Sequence, residues 1–394
     1  MSRTRTSIFK PDGIEKLSFE YIPSRLPHRE DEISYIVKML NTVLESPGAL
    51  SQRILITGET GSGKTATARK VGDTLERIAK SKGLALRYAH VNCRTVGGKF
   101  GLAQAIVQQA APKLTARGYG PAEILHSLWD YLNEHNILLI LTLDEIDYYV
   151  RTTGEDIVYE LTRLTDGVTG VPQRINFMFI ARDHSFIEVM RPETLSRFRP
   201  QERIEFPPYK ENQLKDIILD RVAEAFVEDA VSEEVTDFIA RNAATYGHGD
   251  ARYAISLLCA AGMIADRDES RFVLPEHVRE AQGRTDPRLR DEDIALRPDE
   301  EKYILLALAR SLKKEREAIF IPLIHLEKIY KTVCEEYKAK PVGRVLLHAL
   351  LKNLQILGIV NIDEKFRVEL PYVKAEVLER FLVDLLQRKR GWHG

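Results

Sequence analysis

Arg53-Ile54-Leu55-Ile56-Thr57-Gly58-Glu59-Thr60-Gly61-Ser62-Gly63-Lys64-Thr65 decides the fold. Arg53 to Thr57 reads as a short β-branched strand, Gly58 to Thr65 matches G-x-x-x-x-G-K-[ST], and Ala66 to Lys80 is helix-compatible. Strand, glycine loop and helix in that order form a phosphate cradle. The glycines let backbone N–H groups converge on phosphate oxygens while the helix turns the positive end of its dipole toward them. In such a site Lys64 reaches the β- and γ-phosphates and Thr65 ligates Mg²⁺, so ATP or ADP with Mg²⁺ is the expected cofactor. A chance glycine-rich turn would not need these flanks.

A second stretch supplies the acids. Asn136-Ile137-Leu138-Leu139-Ile140-Leu141-Thr142-Leu143-Asp144-Glu145 is almost wholly apolar until its end, as a strand buried on both faces of a parallel sheet should be. Ligands bind at the carboxyl edge of such sheets, which places Asp144 to hold the Mg²⁺ shell and Glu145 to orient or deprotonate the attacking water. Asp147 reads as an exposed acid at a helix start. The apolar run Ile175 to Ile180, after a helical stretch at 158–165, completes an alternating pattern. The expected first domain is a doubly wound α/β sheet.

Length and composition bound the rest. At 394 residues the chain exceeds what one core usually serves, and an apolar content of 44% is ordinary for globular domains. Cys93, Cys259 and Cys334 lack metal-ligand spacing, and their odd number argues for a reducing compartment. No apolar run approaches the roughly 20 residues of a membrane span, so the expected location is cytoplasmic, nucleoid-associated, with no membrane partner. The formal net charge of −1 requires any DNA contact to be local. Arg3, Arg5 and Lys10 form either a phosphate-contacting arm or a solvated tail.

Beyond about Pro208 the chain is helical, with amphipathic segments at 211–227 and 232–242 and Ser232 as an N-cap. A charge-dense stretch follows Thr285. Helices are then expected at 298–314, 323–337 and 342–355, a β-ribbon at 359–370 and a last helix at 374–387, which is the order of a winged helix. In its third helix Val345, Leu346, Leu350, Leu354 and Leu357 are expected to face inward. Arg344, His348, Lys352 and Gln355 would form the opposite stripe, which by spacing alone is a solvated face and in a winged helix is the face that meets DNA. The short wing carries Asp363 and Glu364, leaving Lys365 and Arg367 as phosphate candidates. The expected domains are 1–207 (ATPase), 208–285 (helical lid), 286–297 (linker) and 298–394 (winged helix).

These features together resemble the archaeal replication initiators of the origin-recognition-complex and cell-division-cycle family, AAA+ proteins, over nearly the whole chain. Tyr21 to Glu30 resembles the family's adenine-packing stretch, implying nucleotide contacts from Ile22, Pro23, Leu26, Pro27, His28 and Arg29. Leu143-Asp144-Glu145-Ile146-Asp147 matches its acidic strand end, and Phe206-Pro207-Pro208-Tyr209 its lid entry, bringing Tyr209 to the nucleotide. Gly249-Asp250-Ala251-Arg252 resembles the second sensor, implying that Arg252 reaches the phosphates. Ser196-Arg197-Phe198 resembles the box that presents an arginine finger; without a neighbouring subunit Arg197 is a surface arginine. Residues 111–120 correspond to the family's DNA-gripping insertion, with Lys113 and Arg117 as contacts, or to a plain surface loop.

One position departs. Arg182 stands where the family places an Asn, Ser or Thr to hold the attacking water, and arginine has no acceptor to offer. Binding with slow hydrolysis is therefore expected, and Asp183 is expected to pair with Arg182. The resemblance implies a protein, monomeric off DNA, that recognises double-stranded origin repeats under nucleotide control, with a replicative helicase or paralogous initiators as partners. A promoter-binding or repressive paralogue, and a protein-remodelling ATPase, are the alternatives.

Overall fold

Alternation along single strands builds a sheet buried on both faces. The computed structural model describes residues 7–114, 118–164, 172–198, 200, 202–285 and 291–391. Strands β1 (Arg53–Gly58), β2 (Leu86–Asn92), β3 (Leu138–Asp144), β4 (Ile175–Ala181) and β5 (Glu202–Phe206) form a parallel sheet in the order β2-β3-β4-β1-β5. Leu139, Leu141 and Leu143 of β3 enter one core with Phe177 and Phe179, while Leu138 and Ile140 enter the opposite core with Ile54, Met178 and Ile180. Every residue of β3 and β4 is buried, which is why both read as unbroken apolar runs. Helix Lys64–Ser81 leaves the loop after β1, and the ends of β1 and β3 lie at one edge, β4 between them.

The chain resolves into two compact units. One comprises Ile22–Tyr209 with Gly249–Ala251; the other takes the chain up to Tyr21, Lys210–His248 and Arg252 onward. Residues 7–21 thus pack with the lid helices rather than with the sheet, contrary to a first domain running unbroken from residue 1. The causes are local: Phe9 stacks on Phe226 at 4.7 Å between ring centroids, and Lys10 N–H donates to Ala225 O at 2.9 Å. Lys10 Nζ donates to Ala223 O at 2.5 Å, so this lysine closes a structural contact instead of serving a phosphate arm. Arg3 and Arg5 lie outside the described residues.

In that second unit the lid comprises Glu211–Ala225, Glu233–Thr245, Ala251–Arg267 and Pro275–Thr285, with Ser232 Oγ accepting the Val235 N–H as the expected cap. The winged helix follows: helices Asp299–Lys314, Leu323–Glu336 and Arg344–Ile356, strands β6 (Phe320–Pro322), β7 (Asn361–Ile362) and β8 (Arg367–Glu369) in antiparallel order β6-β8-β7, and helix Ala375–Gly391. Ile294, on helix Asp291–Ala295 within the charge-dense stretch, is buried in the winged-helix core.

Lid and winged helix are welded by a buried arginine. Arg279 has no exposed surface. Its guanidinium donates to Leu370 O at 2.9 Å, Ala318 O at 3.0 Å and Ile319 O at 2.9 Å, and pairs with Glu276 at 2.7 Å. Glu369, equally buried on β8, faces Arg241 of the lid at 3.5 Å.

Candidate functional site

The loop between β1 and helix Lys64–Ser81 takes backbone shapes that require glycine. Gly61 and Gly63 have φ of 72° and 92°. A Cβ at Gly61 would lie 1.7 Å from Asp250 Oδ1, and one at Gly63 would lie 2.5 Å from the Tyr209 hydroxyl. Both glycines therefore serve close packing as well as the turn. The loop is held from three sides: Gly58 N–H donates to Arg182 O at 2.9 Å, Ala251 N–H to Gly61 O at 3.2 Å, and Ser62 Oγ to Glu59 O at 2.8 Å. Lys64 Nζ bonds the carbonyls of Gly58 and Glu59 at 2.5 and 2.8 Å, at the mouth of the loop. Thr60 is exposed, and Ala66 sits half-buried in the first helical turn.

Arg29 is the rivet behind this loop. Its buried guanidinium donates to Ser62 O at 3.0 Å, Pro207 O at 2.8 Å, His28 O at 3.0 Å and Glu32 at 3.2 Å, and stacks 4.2 Å from the centroid of Tyr209. Tyr209 is itself buried, and its phenol is pushed up to about 12 by that burial. Arg29 and Tyr209, expected as nucleotide contacts, are thus consumed in holding the loop, because a fork with five donors can satisfy several carbonyls at once. Ile22, Leu26 and His28 remain partly accessible in the same segment, Pro23 and Pro27 are buried, and His28 turns the chain at φ 63°.

At the end of β3 the Thr65 hydroxyl donates to Asp144 Oδ2 at 2.7 Å. His90 Nε2 lies 3.1 Å from that oxygen, His90 Nδ1 lies 2.9 Å from the Tyr88 hydroxyl, and Thr142 Oγ1 donates to the Tyr88 hydroxyl at 3.1 Å. A proton on Nε2 lets the imidazole donate to the carboxylate and completes this chain of hydrogen bonds. Burial alone would raise the Asp144 carboxyl, but His90, Thr65 and the Glu145 N–H together hold it below its ordinary value. A hydroxyl and an ionised carboxylate side by side suit a hard divalent cation that completes its shell with phosphate and water. Among the described residues no group of three or more His, Cys, Asp or Glu could hold a metal alone.

Glu145 begins the next helix at φ 56°, its carboxylate held by Asn92 Nδ2 and Arg94 Nη1, both at 3.3 Å. His90, Asn92 and Arg94, from β2 and the turn after it, were not singled out in the sequence. The only cue was the adjacency of a polar His-x-Asn-x-Arg pattern to an alternating strand. Asp147 is buried, not exposed: its Oδ2 accepts the Arg182 N–H at 3.2 Å. Asp183 binds Ser185 N–H at 2.6 Å and pairs with Arg151 at 3.7 Å, so Arg151, not Arg182, is the partner. Arg182 is exposed at the end of β4.

Arg252 is exposed in the first turn of helix Ala251–Arg267. Arg197 lies on helix Pro192–Phe198, with its side chain outside the described atoms. Lys113 is exposed on a turn and Arg117 lies outside the described residues.

The third helix of the winged domain is rotated relative to expectation. Leu347, Leu351 and Leu354 are its buried positions, whereas Val345 is 88%, Leu346 52% and Leu357 47% exposed. Leu354 alone of the expected inward set is fully buried, with Leu350 partly so, because the core approaches the helix about 100° away from the stripe assumed. The polar stripe is correspondingly displaced toward neighbours. Gln355 Nε2 donates to Ile362 O at 3.3 Å, Arg344 pairs with Glu327 at 3.0 Å, and His348 stands 6.4 Å from the Phe366 ring. Lys352 is exposed. In the wing, Arg367 is clamped to Asp363 at 2.7 Å and stacks on Phe320 at 4.4 Å, while the side chain of Lys365 is exposed. Gln355 and Arg367 are therefore engaged within the domain, whereas Arg344, His348, Lys352 and Lys365 are the candidates of the winged helix whose side chains stay at its surface.

A parallel sheet with a glycine loop after β1, a helical lid and a winged helix define an AAA+ protein with an appended winged-helix domain. Family models agree: an AAA domain matches residues 51–188, the Cdc6 AAA+ ATPase-type lid domain 215–283, and the Cdc6 C-terminal winged helix domain 292–370. The ORC1-type DNA replication protein 2 of Saccharolobus solfataricus is 33% identical over 366 residues, covering 91% of this chain and 87% of that one. The crystal structure of Cdc6p from Pyrobaculum aerophilum superposes with a TM-score of 0.83 at 27% identity, covering 97% of this chain and 100% of the other. The Aeropyrum pernix ORC1 protein in complex with DNA matches with a TM-score of 0.63 at 28% identity, covering 96% and 97%. The chain belongs to the archaeal ORC1/Cdc6-type replication initiators.

Proposed function

We propose that this protein binds ATP or ADP with Mg²⁺ and double-stranded origin DNA, and that nucleotide state governs its hold on the DNA. The observation that carries this reading is the pairing of Thr65 with Asp144 at 2.7 Å beside the glycine loop, in a chain whose winged helix presents Lys352 to solvent. Backbone N–H groups of Gly61 to Thr65 and the Lys64 ammonium would hold the phosphates. Thr65 and Asp144 would hold the cation, which would neutralise phosphate charge when bound. Arg252 directly follows Ala251, whose N–H bonds the loop at Gly61, which supports its role as the residue that reports nucleotide to the lid. Glu145 would orient the hydrolytic water once released from Asn92 and Arg94, and with Arg182 in place of a neutral acceptor the turnover would be slow.

The test is duplex binding by the purified protein at physiological salt, with and without ATP. Preference for origin repeats over random duplex, weakened by Lys64→Ala, supports the reading. No preference in either nucleotide state refutes it. Chromatin occupancy at promoters and not at origins would favour instead the regulatory reading, which Arg367 supports by spending its charge on Asp363 in the wing.

A further inference from the structure

The rotation of the third winged-helix helix leaves an apolar line where charge was expected. Val345, Ala349, Lys352 and Ile356 are all exposed, with Val345 at 88% and Ile356 at 76%. They are spaced by four, three and four residues and so lie along one ridge of the helix. At 1.5 Å per residue the ridge from Val345 to Ile356 runs about 16 Å, the length of roughly five base steps. Two amide side chains on the same helix are spent inside the domain, Gln355 on Ile362 O and Asn353 on Glu301 at 2.6 Å, while Arg344, paired with Glu327 at the surface, and His348 lie off this ridge. What the outermost ridge can offer a base edge is aliphatic surface and one ammonium.

We propose that Val345, Ala349 and Ile356 read thymine through its C5-methyl group in the major groove. This assignment rests on the DNA-binding reading above and names what that surface distinguishes. In the major groove the methyl is the one apolar mark that separates the edge of an A·T pair from that of a G·C pair. Single exposed aliphatics are ordinary, but aliphatic positions aligned along one helix ridge form a surface that a partner can cover. Duplex DNA is the occupant that also fits the charge, since exposed Lys352 stands on the ridge, exposed Lys340 precedes the helix by four residues and exposed Lys365 lies on the wing, all suited to phosphates. Specificity is then carried by shape and methyl placement more than by hydrogen bonds.

The experiment uses the full-length protein and the tightest duplex recovered by in vitro selection from a random library. Each thymidine is replaced singly by deoxyuridine, which removes the methyl and leaves every hydrogen-bonding edge intact. The expected result is a loss of about fourfold in affinity at each of two or three thymidines, the factor that burying one methyl-sized group is worth. Replacement elsewhere should be silent. Val345→Ser and Ile356→Ser, which leave no methyl to meet the base at exposed positions where the fold is not at risk, should bind the thymidine duplex as weakly as the wild type binds its deoxyuridine form. Uniform tolerance of deoxyuridine with tight binding retained would overturn the inference and leave the patch to a protein partner. Failure to select any duplex would instead overturn the DNA-binding reading itself.

Discussion

Thr65 and Asp144 meet at 2.7 Å across the gap between the glycine loop and the end of β3, although 79 positions separate them in the chain. Neither makes a metal site alone. Together they would give a cation two adjoining oxygens, with the Asp144 carboxyl held below its ordinary value against its burial by His90, Thr65 and the Glu145 N–H. Asp144→Asn should therefore weaken Mg²⁺-dependent binding of a fluorescent ATP analogue by about tenfold or more, and Thr65→Ala similarly. Mg²⁺ titrations at fixed nucleotide give the answer, and unchanged half-saturation would remove the pair from the site.

His90 acts one step further out. His90→Ala removes the Nε2 donor to Asp144 and strands the Tyr88 hydroxyl, so Mg²⁺ affinity should fall roughly tenfold while nucleotide binding without Mg²⁺ stays near wild type. His90→Gln, which restores one donor, should recover part of the loss.

Arg29 predicts a stability effect without a matching loss of specificity. Arg29→Ala leaves the carbonyls of Ser62 and Pro207 without their donor and opens space against Tyr209, costing about 3 kcal/mol in urea unfolding. Arg29→Lys should recover little, since an ammonium cannot span both carbonyls. Full recovery by lysine would make the charge, not the fork, the important property.

Glu369 should impose a pH dependence. Burial pushes its carboxyl up from 4.5 to about 7, against the pull of Arg241 and Arg279. The folded state thus binds the proton more tightly than the unfolded chain does. Its contribution to stability is fully present below pH 4.5 and is lost as pH rises through about 7, a span worth on the order of 3 kcal/mol. Glu369→Gln, which mimics the protonated form, should flatten that part of the stability profile and be the more stable protein at pH 8. Parallel profiles for the two proteins would contradict this.

Lys352 and Gln355 should separate cleanly in DNA binding. Lys352→Ala should weaken binding across sequences and lower the slope of log affinity against log salt by about one. Gln355→Ala should leave that slope unchanged, because its amide is spent on Ile362 O.

Much of this was legible in the sequence because it is local. The cradle needs consecutive residues, the buried strands need unbroken apolar runs, and Ser232 caps the helix that starts at the next residue by accepting the Val235 N–H. What was not legible depends on partners far along the chain. His90, Asn92 and Arg94 matter only because parallel pairing brings β2 beside β3, setting His90 against Thr142 and Asn92 against Asp144 in register. Asp147 looked like a surface acid because its partner, the Arg182 N–H, lies 35 residues downstream. The third helix offered leucines on most of its circumference, so periodicity alone allowed two inward faces, and the approach of the core at Leu347 and Leu351 chose between them. Arg29 and Arg367 were read as ligand contacts because a sequence does not show which carbonyls and carboxylates already claim a guanidinium.

The weld at Arg279 bears on how the molecule can be dissected. The charge-rich stretch after Thr285 looks like a place to separate the C-terminal domain. Yet a fragment beginning there would leave the carbonyls of Ala318, Ile319 and Leu370 without the guanidinium that satisfies them, and would uncover Glu369 on the severed face. Such a piece is sticky and altered at that face before any DNA is added. Modularity in this protein is a property of its sequence matches more than of its mechanics, and winged helix and lid are a single part.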